Sequence, residues 1–258
     1  MQVRRGSLSS STAGDRKIIY CELVQSGVDE LFYKTLLGTR ANEFEFKGLG
    51  SSQTLLNYAK TGLVQKGFCL IDRDFRQASN VDRLEQNNQA IKFLKVHELE
   101  YFLLNATYLS KLSNLRESVD INQEINKVLE ENRIKFMADF LQFRMNEFLE
   151  QFPRITKLNN SEVPDNENDM IAYLLEKLDS NYNTVKEKVE KIKNEHIKVW
   201  KNEYDQLTLK ELPSKEILKQ LKHRIFNNPL KDSDLAKEIA AFMSDDGFLP
   251  PELEGYFN

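Results

Sequence analysis

The sequence contains few cysteines and histidines, and this limits the chemistry the chain can perform. Its 258 residues include two cysteines and three histidines. Cys21 and Cys69 lie in separate apolar segments and form no CxxC pair. Two thiols without a CxxC pair argue against a disulfide framework or a structural zinc site. We therefore expect two buried, reduced thiols, as is usual in the cytosol.

Three further features are missing. There is no apolar run of membrane-spanning length and no apolar signal core, which predicts a soluble, cytoplasmic protein without a membrane partner. The formal net charge of −4 excludes a basic field over the whole protein. The chain also lacks the GxxxxGK[ST] loop, so it has no ATP-binding loop of that type.

The most informative segment that is present is Gly67–Phe75. It begins as a short apolar run of strand length and ends in Asp72 and Asp74, two carboxylates separated by one residue. A short run of this kind is typical of a strand in a parallel sheet that is covered on both faces. In open α/β sheets, ligands bind at the carboxyl ends of such strands.

Strand and helix patterns alternate through the first part of the chain. We predict an α/β fold with a small parallel sheet and right-handed crossovers, followed by a mainly α-helical region. Ser26 is the predicted cap of the first helix, and residues 76–88 are predicted to form a polar loop. The predicted strands are 17–22, 42–47, 67–75 and 90–96, and the predicted helices among them are 26–38, 51–62 and 97–104.

Acidic residues recur where the predicted strands end. Glu22 ends the first strand, Asp72 and Asp74 end the third, and Glu98 and Glu100 follow the fourth. Because the carboxyl ends of parallel strands share one edge of a sheet, five acids could meet there, and such a cluster needs a cation or raised pKa values. We therefore predict a Mg²⁺ site, which Mn²⁺ could also occupy, that acts on phosphodiesters.

Beyond residue 115 the apolar pattern becomes helical. Apolar side chains, and one histidine, recur at alternating intervals of four and three residues, which predicts a heptad seam. The seam could join two helices of one chain or the helices of two chains. Its members are Ile171, Leu175, Leu178, Tyr182, Val185, Val189, Ile192, His196 and Val199. Further along, Ser214 is the predicted cap of a helix that starts after Pro213.

The acidic segments resemble a known family. Glu22 after one apolar strand, and Asp72-Arg73-Asp74 after another, resemble the TOPRIM motif of topoisomerases, primases and the OLD-family nucleases. The segments 26–33, 97–104 and 213–218 are similar to the OLD-like branch whose TOPRIM domain acts beside a separate ABC-type ATPase. The toprim effector of the PARIS anti-phage system belongs to this branch. One departure is Leu23, where the family usually has glycine.

The resemblance implies a role for each candidate residue. Asp72 and Asp74 would hold the metal, and Glu22 would be a ligand or the general acid/base. Glu100 is the preferred further ligand, with Glu98 as its alternative. Lys215 would stabilise negative charge that builds up on the phosphate. The arginines that could follow a nucleic-acid backbone are Arg73, Arg76 and Arg83.

The resemblance also implies an organisation and partners. Residues 16–115 would be a TOPRIM-like catalytic domain, and 206–258 a segment that completes the catalytic domain. Residues 1–15 are polar and rich in serine, which predicts a disordered N-terminus, and the heptad seam predicts that 116–205 is a helical insertion for dimerisation. The expected protein is a homodimeric nuclease of tRNA or DNA, the toxic effector of an antiviral defence system that an ABC-type ATPase controls. The alternatives are a catalytically silent scaffold that dimerises through its helical region and, with less support, a fragment of a primase or topoisomerase.

Overall fold

The structure, a computed structural model, describes residues 16–22, 27–149, 162–181 and 186–257. The predicted disordered N-terminus, Leu23, the predicted cap Ser26, and Tyr182 and Val185 of the seam lie outside the described residues. In chain order the strands and α-helices are β1 (Lys17–Cys21), α1 (Val28–Leu37), β2 (Phe44–Gly48), α2 (Ser52–Lys60), β3 (Gly67–Ile71), α3 (Ala78–Asn87), β4 (Ile91–Phe93), α4 (Ala106–Leu109), α5 (Ile121–Leu149), α6 (Glu167–Asn181), α7 (Lys186–Lys191), α8 (Ile197–Tyr204), α9 (Ser214–Ile225) and α10 (Asp232–Asp245).

The described strands form one parallel sheet in the order β2-β1-β3-β4. Tyr20 of β1 pairs with Cys69 of β3, and Cys69 pairs in turn with Ile91 of β4. Parallel neighbours require crossover segments, and α1, α2 and α3 lie in the chain between successive strands. The predicted α/β class with a small parallel sheet is therefore confirmed.

The sheet is covered by apolar side chains, as the strand sequences predict. Cys69 and Ile71 of β3 are fully buried against Leu55 and Ala59 of α2. Cys21 is also buried, and both thiols are free, so the expectation of buried thiols is confirmed. Burial without a charge partner raises the pKa of the Cys69 thiol to about 11.

Two predicted element bounds were wrong at the carboxyl side of the sheet. The predicted loop at 76–88 contains the helix α3, in which Val81 and Leu84 form a narrow apolar stripe that packs against the core. The predicted strand 67–75 ends at Ile71, because Asp74 adopts a left-handed backbone conformation with φ 50° that an extended strand cannot accommodate.

The fourth strand and the helix after it are also shorter than predicted. β4 comprises only Ile91–Phe93. Asn88 lies three residues before the start of β4, and its side-chain oxygen accepts a hydrogen bond from the backbone N–H of Ala90, which fixes the entry to the strand. The predicted helix 97–104 is a 3₁₀ helix at Leu99–Leu104.

The described chain divides into two compact units. The first comprises residues 16–22, 27–71, 79–93 and 232–254, and thus the sheet, α1 to α3 and α10. Within it, α10 packs against α1. The second comprises residues 72–78, 94–149, 162–181, 186–231 and 255–257, which are mainly helical. In that unit α6, α8 and α9 pack against the long helix α5.

The predicted heptad seam is interrupted by a π-helical turn at Ile192–His196. A π-turn adds one residue and rotates the following helix, so the buried face after Ile192 continues through Ile197, Trp200 and Tyr204. Val199, a predicted seam residue, is 51% exposed. In α6 the fully buried residues are Met170 and Leu174, whereas the predicted seam residues Ile171 and Leu175 are only partly buried. The heptad seam therefore stays a prediction.

No helix of the described residues is both long enough and apolar enough to span a membrane.

Candidate functional site

The segment that directly follows β3 is a tight turn held together by Arg76. The guanidinium Nη1 of Arg76 donates to Asp74 Oδ2 at 2.5 Å and to the backbone carbonyls of Asp72 at 3.2 Å and Arg73 at 3.3 Å. The backbone N–H of Asp74 donates to the carbonyl of His97 at 3.1 Å. A left-handed residue at a strand end is a mildly strained arrangement that these contacts stabilise.

This turn combines two predicted functions. Asp74, a predicted metal ligand, and Arg76, a predicted phosphate contact, form an ion pair in which the side chains are 31% and 14% exposed. The guanidinium of Arg76 neutralises the negative charge of Asp74, as a bound metal ion would do. Any cation that binds Asp74 must therefore compete with Arg76.

Glu22 is the residue that directly follows β1, and it is half-buried. β1 and β3 pair in parallel, so their carboxyl ends lie at the same edge of the sheet. Ile18 pairs with Gly67 and Tyr20 with Cys69. Both apolar runs form strands, and each strand is followed directly by an acid, Glu22 after β1 and Asp72 after β3.

Glu98 has a structural contact that the sequence did not indicate. One of its carboxylate oxygens accepts a hydrogen bond from the backbone N–H of Lys215 at 2.8 Å, in the first turn of α9. The predicted cap was Ser214, but that residue is buried inside the first turn and its hydroxyl donates to the carbonyl of Leu212. Glu98 therefore caps α9 from a distant part of the chain.

The electrostatics of Glu98 agree with this role. Burial by itself raises the pKa of the carboxyl group, but electrostatic attraction to His97 and the hydrogen bond from the backbone N–H of Lys215 outweigh burial and hold the pKa below its usual value. His97 Nδ1 lies 3.6 Å from the Glu98 carboxylate. The side chain is therefore ionised at neutral pH.

The other predicted residues lie in different surroundings. Glu100 is buried, with 8% of its surface exposed, in the 3₁₀ helix at 99–104. The side chain of Lys215 is exposed at the start of α9. Arg83 is exposed on α3, where it donates to Asn80 at 3.2 Å. The turn brings together Asp74, Arg73 and Arg76, and α9 brings Lys215 to Glu98.

A cavity of about 320 Å³ opens beside the turn, wholly within the second unit. Arg73, Arg76 and Arg144 line it, together with the rings of Phe75 and Phe140. Arg144 was missed by the sequence analysis, although it stands four residues after Phe140 on the apolar stripe of α5 and is itself buried. An arginine at such a position is a signal of a buried polar site.

The donor chemistry of the turn suits a hard cation. Asp72 and Asp74 offer carboxylate oxygens, and Mg²⁺ is bound in enzymes through one or two carboxylates with substrate phosphates and water as the remaining ligands. In the part of the chain that the structure describes, no group of three or more His, Cys, Asp or Glu side chains is arranged to hold a metal ion. The two carboxylates of the turn therefore fit an open cation site, in which other groups supply the remaining ligands.

No protein-family model, curated protein or solved structure matches this chain.

Proposed function

We propose that this protein is a Mg²⁺-dependent nuclease of the TOPRIM type. The observation that supports the proposal is the position of Asp72 and Asp74, which directly follow β3, an inner strand of a parallel sheet. Ligand sites of open α/β sheets lie at the carboxyl ends of such strands. Glu22 and the Asp72-Arg73-Asp74 segment resemble the TOPRIM motif, and this resemblance supports phosphodiester cleavage as the reaction.

In this proposal Asp72 and Asp74 hold the cation, and Glu22 is a further ligand or the general acid/base. When bound, Mg²⁺ (or Mn²⁺) would polarise the phosphodiester and lower the pKa of a water molecule. Arg76 exchanges Asp74 for a phosphate oxygen, since its guanidinium binds either group through the same hydrogen-bond donors. Glu98 positions α9 and so the backbone that carries Lys215, and Glu100 is the preferred additional carboxylate.

The substrate is DNA or RNA, with tRNA the expected RNA. The test is cleavage of total tRNA and of supercoiled plasmid by the purified chain in Mg²⁺, in Mn²⁺ and in EDTA. We expect metal-dependent products from the wild type and a rate at least about 100-fold lower from Asp72→Asn and Asp74→Asn, because each variant removes a charged metal ligand while keeping the size of the side chain.

The matched control is Asp82→Asn, which makes the same change at an exposed position of α3. It should cleave as the wild type does. Equal cleavage by the wild type, Asp72→Asn and Asp74→Asn would contradict the assignment of the site.

We further propose that the protein acts in the cytoplasm as the toxic effector of an antiviral defence system, under the control of an ABC-type ATPase. This rests on the family resemblance and on the absence of a GxxxxGK[ST] loop from the sequence. The cleavage assay is therefore repeated with the ATPase present. Cleavage that appears only with the ATPase and disappears in Asp72→Asn would support this control, whereas ATPase-independent cleavage would argue against it.

The second candidate function is a scaffold without catalysis. It is favoured by one observation: among the described residues the acids do not form a ready-made group of three around a cation. Calorimetric titration with Mn²⁺ separates the two candidates. Binding that is lost in Asp74→Asn supports the nuclease, and no binding in the presence of nucleic acid supports the scaffold.

A further inference from the structure

We propose that the arginine-lined cavity of the second unit is a phosphate-binding pocket that accepts one nucleotide. The inference deepens the proposed nuclease function and rests on it for the choice of ligand. The lining of the pocket includes Asp74, a predicted metal ligand, and also residues that have no part in the predicted metal site, such as Phe140. Arg73, Arg76 and Arg144 converge on it from two separate segments of the chain.

Arg73 supplies the charge that is available to a ligand. Its Nε donates to the carbonyl of Arg76 at 3.3 Å, which fixes the direction of the guanidinium. Among the described residues no carboxylate forms an ion pair with Arg73. The outer edge of a guanidinium presents parallel N–H donors that match two oxygens of a phosphate.

Arg144 is a buried arginine in the wall of the same cavity. Its side chain is 9% exposed, lies against the ring of Phe140 at 4.9 Å, and pairs with Glu203 at 3.3 Å and Glu147 at 3.2 Å. The Nε of Arg144 is buried and has no hydrogen-bond partner among the described residues. Its two ion pairs and the Phe140 ring hold the guanidinium in a fixed position in the wall of the cavity.

Arg76 is held in a similar way, with its guanidinium 5.7 Å from the centre of the Phe143 ring. Two of the arginines are thus stacked on aromatic rings, which restricts their rotamers before a ligand arrives. A preorganised guanidinium loses less conformational entropy on binding than a free side chain does.

The acids that line the cavity are engaged by other groups. Asp74 pairs with Arg76, and Glu203 pairs with Arg144. Glu211 accepts hydrogen bonds from the backbone and the hydroxyl of Thr208, where it closes a capping box. The three arginines of the lining are matched in number by three carboxylates. Among the described residues Arg73 is the lining arginine that pairs with no carboxylate, so its guanidinium is the one that an anionic ligand can engage without displacing an acid.

The size of the cavity favours a nucleotide over a bare anion. A volume of about 320 Å³ is at the lower end of the range for small-molecule pockets. Phe75 and Phe140 contribute an apolar wall beside the arginines. A nucleotide can place its phosphate at Arg73 and its sugar or base against these rings. This holds whether the nucleotide is free or part of a nucleic acid.

The test measures binding without cleavage, in EDTA. The wild-type chain is titrated with 5′-AMP and adenosine by calorimetry, and with a fluorescein-labelled single-stranded oligonucleotide by fluorescence anisotropy. We expect the oligonucleotide to bind and adenosine not to bind. Arg73→Gln should weaken phosphate-dependent binding at least about tenfold, as the loss of a charge-assisted hydrogen bond implies.

Two variants make the test specific. Arg16→Gln removes the same charge from an exposed arginine just before β1 and should bind as the wild type does. Arg73→Lys keeps the charge but loses the fork of donors, so its affinity should lie between those of the wild type and Arg73→Gln. Thermal unfolding of each variant checks that the fold is intact.

The outcomes separate the ligand sources. If 5′-AMP and the oligonucleotide both bind through Arg73, the pocket accepts a free nucleotide, and if only the oligonucleotide does, it accepts a backbone phosphate. Equal affinities for wild type and Arg73→Gln, or no binding by the wild type, would overturn the proposal. Asp72→Asn, which removes cleavage in the proposed nuclease, should still bind in EDTA, so the two proposals can fail separately.

Discussion

At the scale of single residues, Asp74 shows how one conformation connects the sheet to the candidate site. Its positive φ ends the extended path of the chain after β3, and its carboxylate then lies within reach of Arg76. Aspartate tolerates this backbone region better than most residues do. The local sequence indicated an acidic strand end, but the ion pair with Arg76 became evident only in the structure.

Gly67 is a second residue whose identity is required by its surroundings. A Cβ atom built at this position would lie 1.6 Å from the carbonyl oxygen of Ile18 on the neighbouring strand. We expect Gly67→Ala to lower the free energy of unfolding by at least about 3 kcal/mol, because neither backbone can move without breaking the β1–β3 pairing. The midpoint of urea-induced unfolding measures the change.

The control for this substitution is Gly255→Ala, where an added Cβ meets no atom within 4 Å. Its free energy of unfolding should change by no more than about 0.5 kcal/mol. Similar midpoints for Gly67→Ala and Gly255→Ala would show that the strands can separate to accept the methyl group.

At the scale of elements, local sequence patterns did not fully predict where the helices begin or which face of each helix is buried. α3 was predicted as a loop because Val81 and Leu84 are too few to form a clear amphipathic pattern. The register of the helices after Ile192 shifted because of a π-turn, for which the heptad spacing contained no signal. α9 begins close to the predicted position, but a different residue caps it.

The cap leads to a prediction about pH. Glu98→Gln should lower the free energy of unfolding by about 1 kcal/mol at pH 7, since the charged acceptor at the N-terminus of α9 is lost. The pKa of Glu98 is lowered in the folded state, so its contribution is fully present above the unfolded value of about 4.3 and is lost as the pH falls through the lower folded value.

Urea denaturation of the wild type and Glu98→Gln between about pH 7 and pH 3.5 checks this expectation. The difference in unfolding free energy should shrink towards the acid end of the range. Glu117→Gln changes an exposed glutamate of the same unit and is the matched control. A difference that stays constant with pH would rule out the carboxylate charge as its cause.

At the scale of the whole molecule, the burial of the seam residues decides which substitution can test the predicted homodimer. Val189 is buried within the chain, with 3% of its surface exposed, so a charge there would unfold the helix. Val199 is 51% exposed and is a seam residue that a second copy could contact. If the helical region mediates dimerisation, Val199→Asp should convert a dimer into a folded monomer.

Light scattering at about 10 μM protein measures the mass of both forms, well above the dissociation constants of stable dimers. Lys198→Asp, at a neighbouring exposed position of α8, is the control and should leave the mass unchanged. A wild-type monomer at this concentration would show that the prediction of a homodimer is wrong.

The sequence by itself determined the alternation of strands and helices, the parallel sheet, the buried thiols and the acidic ends of β1 and β3. Each of these follows from short-range hydrophobic periodicity and from the residues that end an apolar run. Only the tertiary structure decided that Glu98 caps α9, 117 residues away, and that Arg144 joins Arg73 and Arg76 around one cavity. Such contacts join residues that are distant in the chain, and no local pattern specifies which distant partner a side chain will meet.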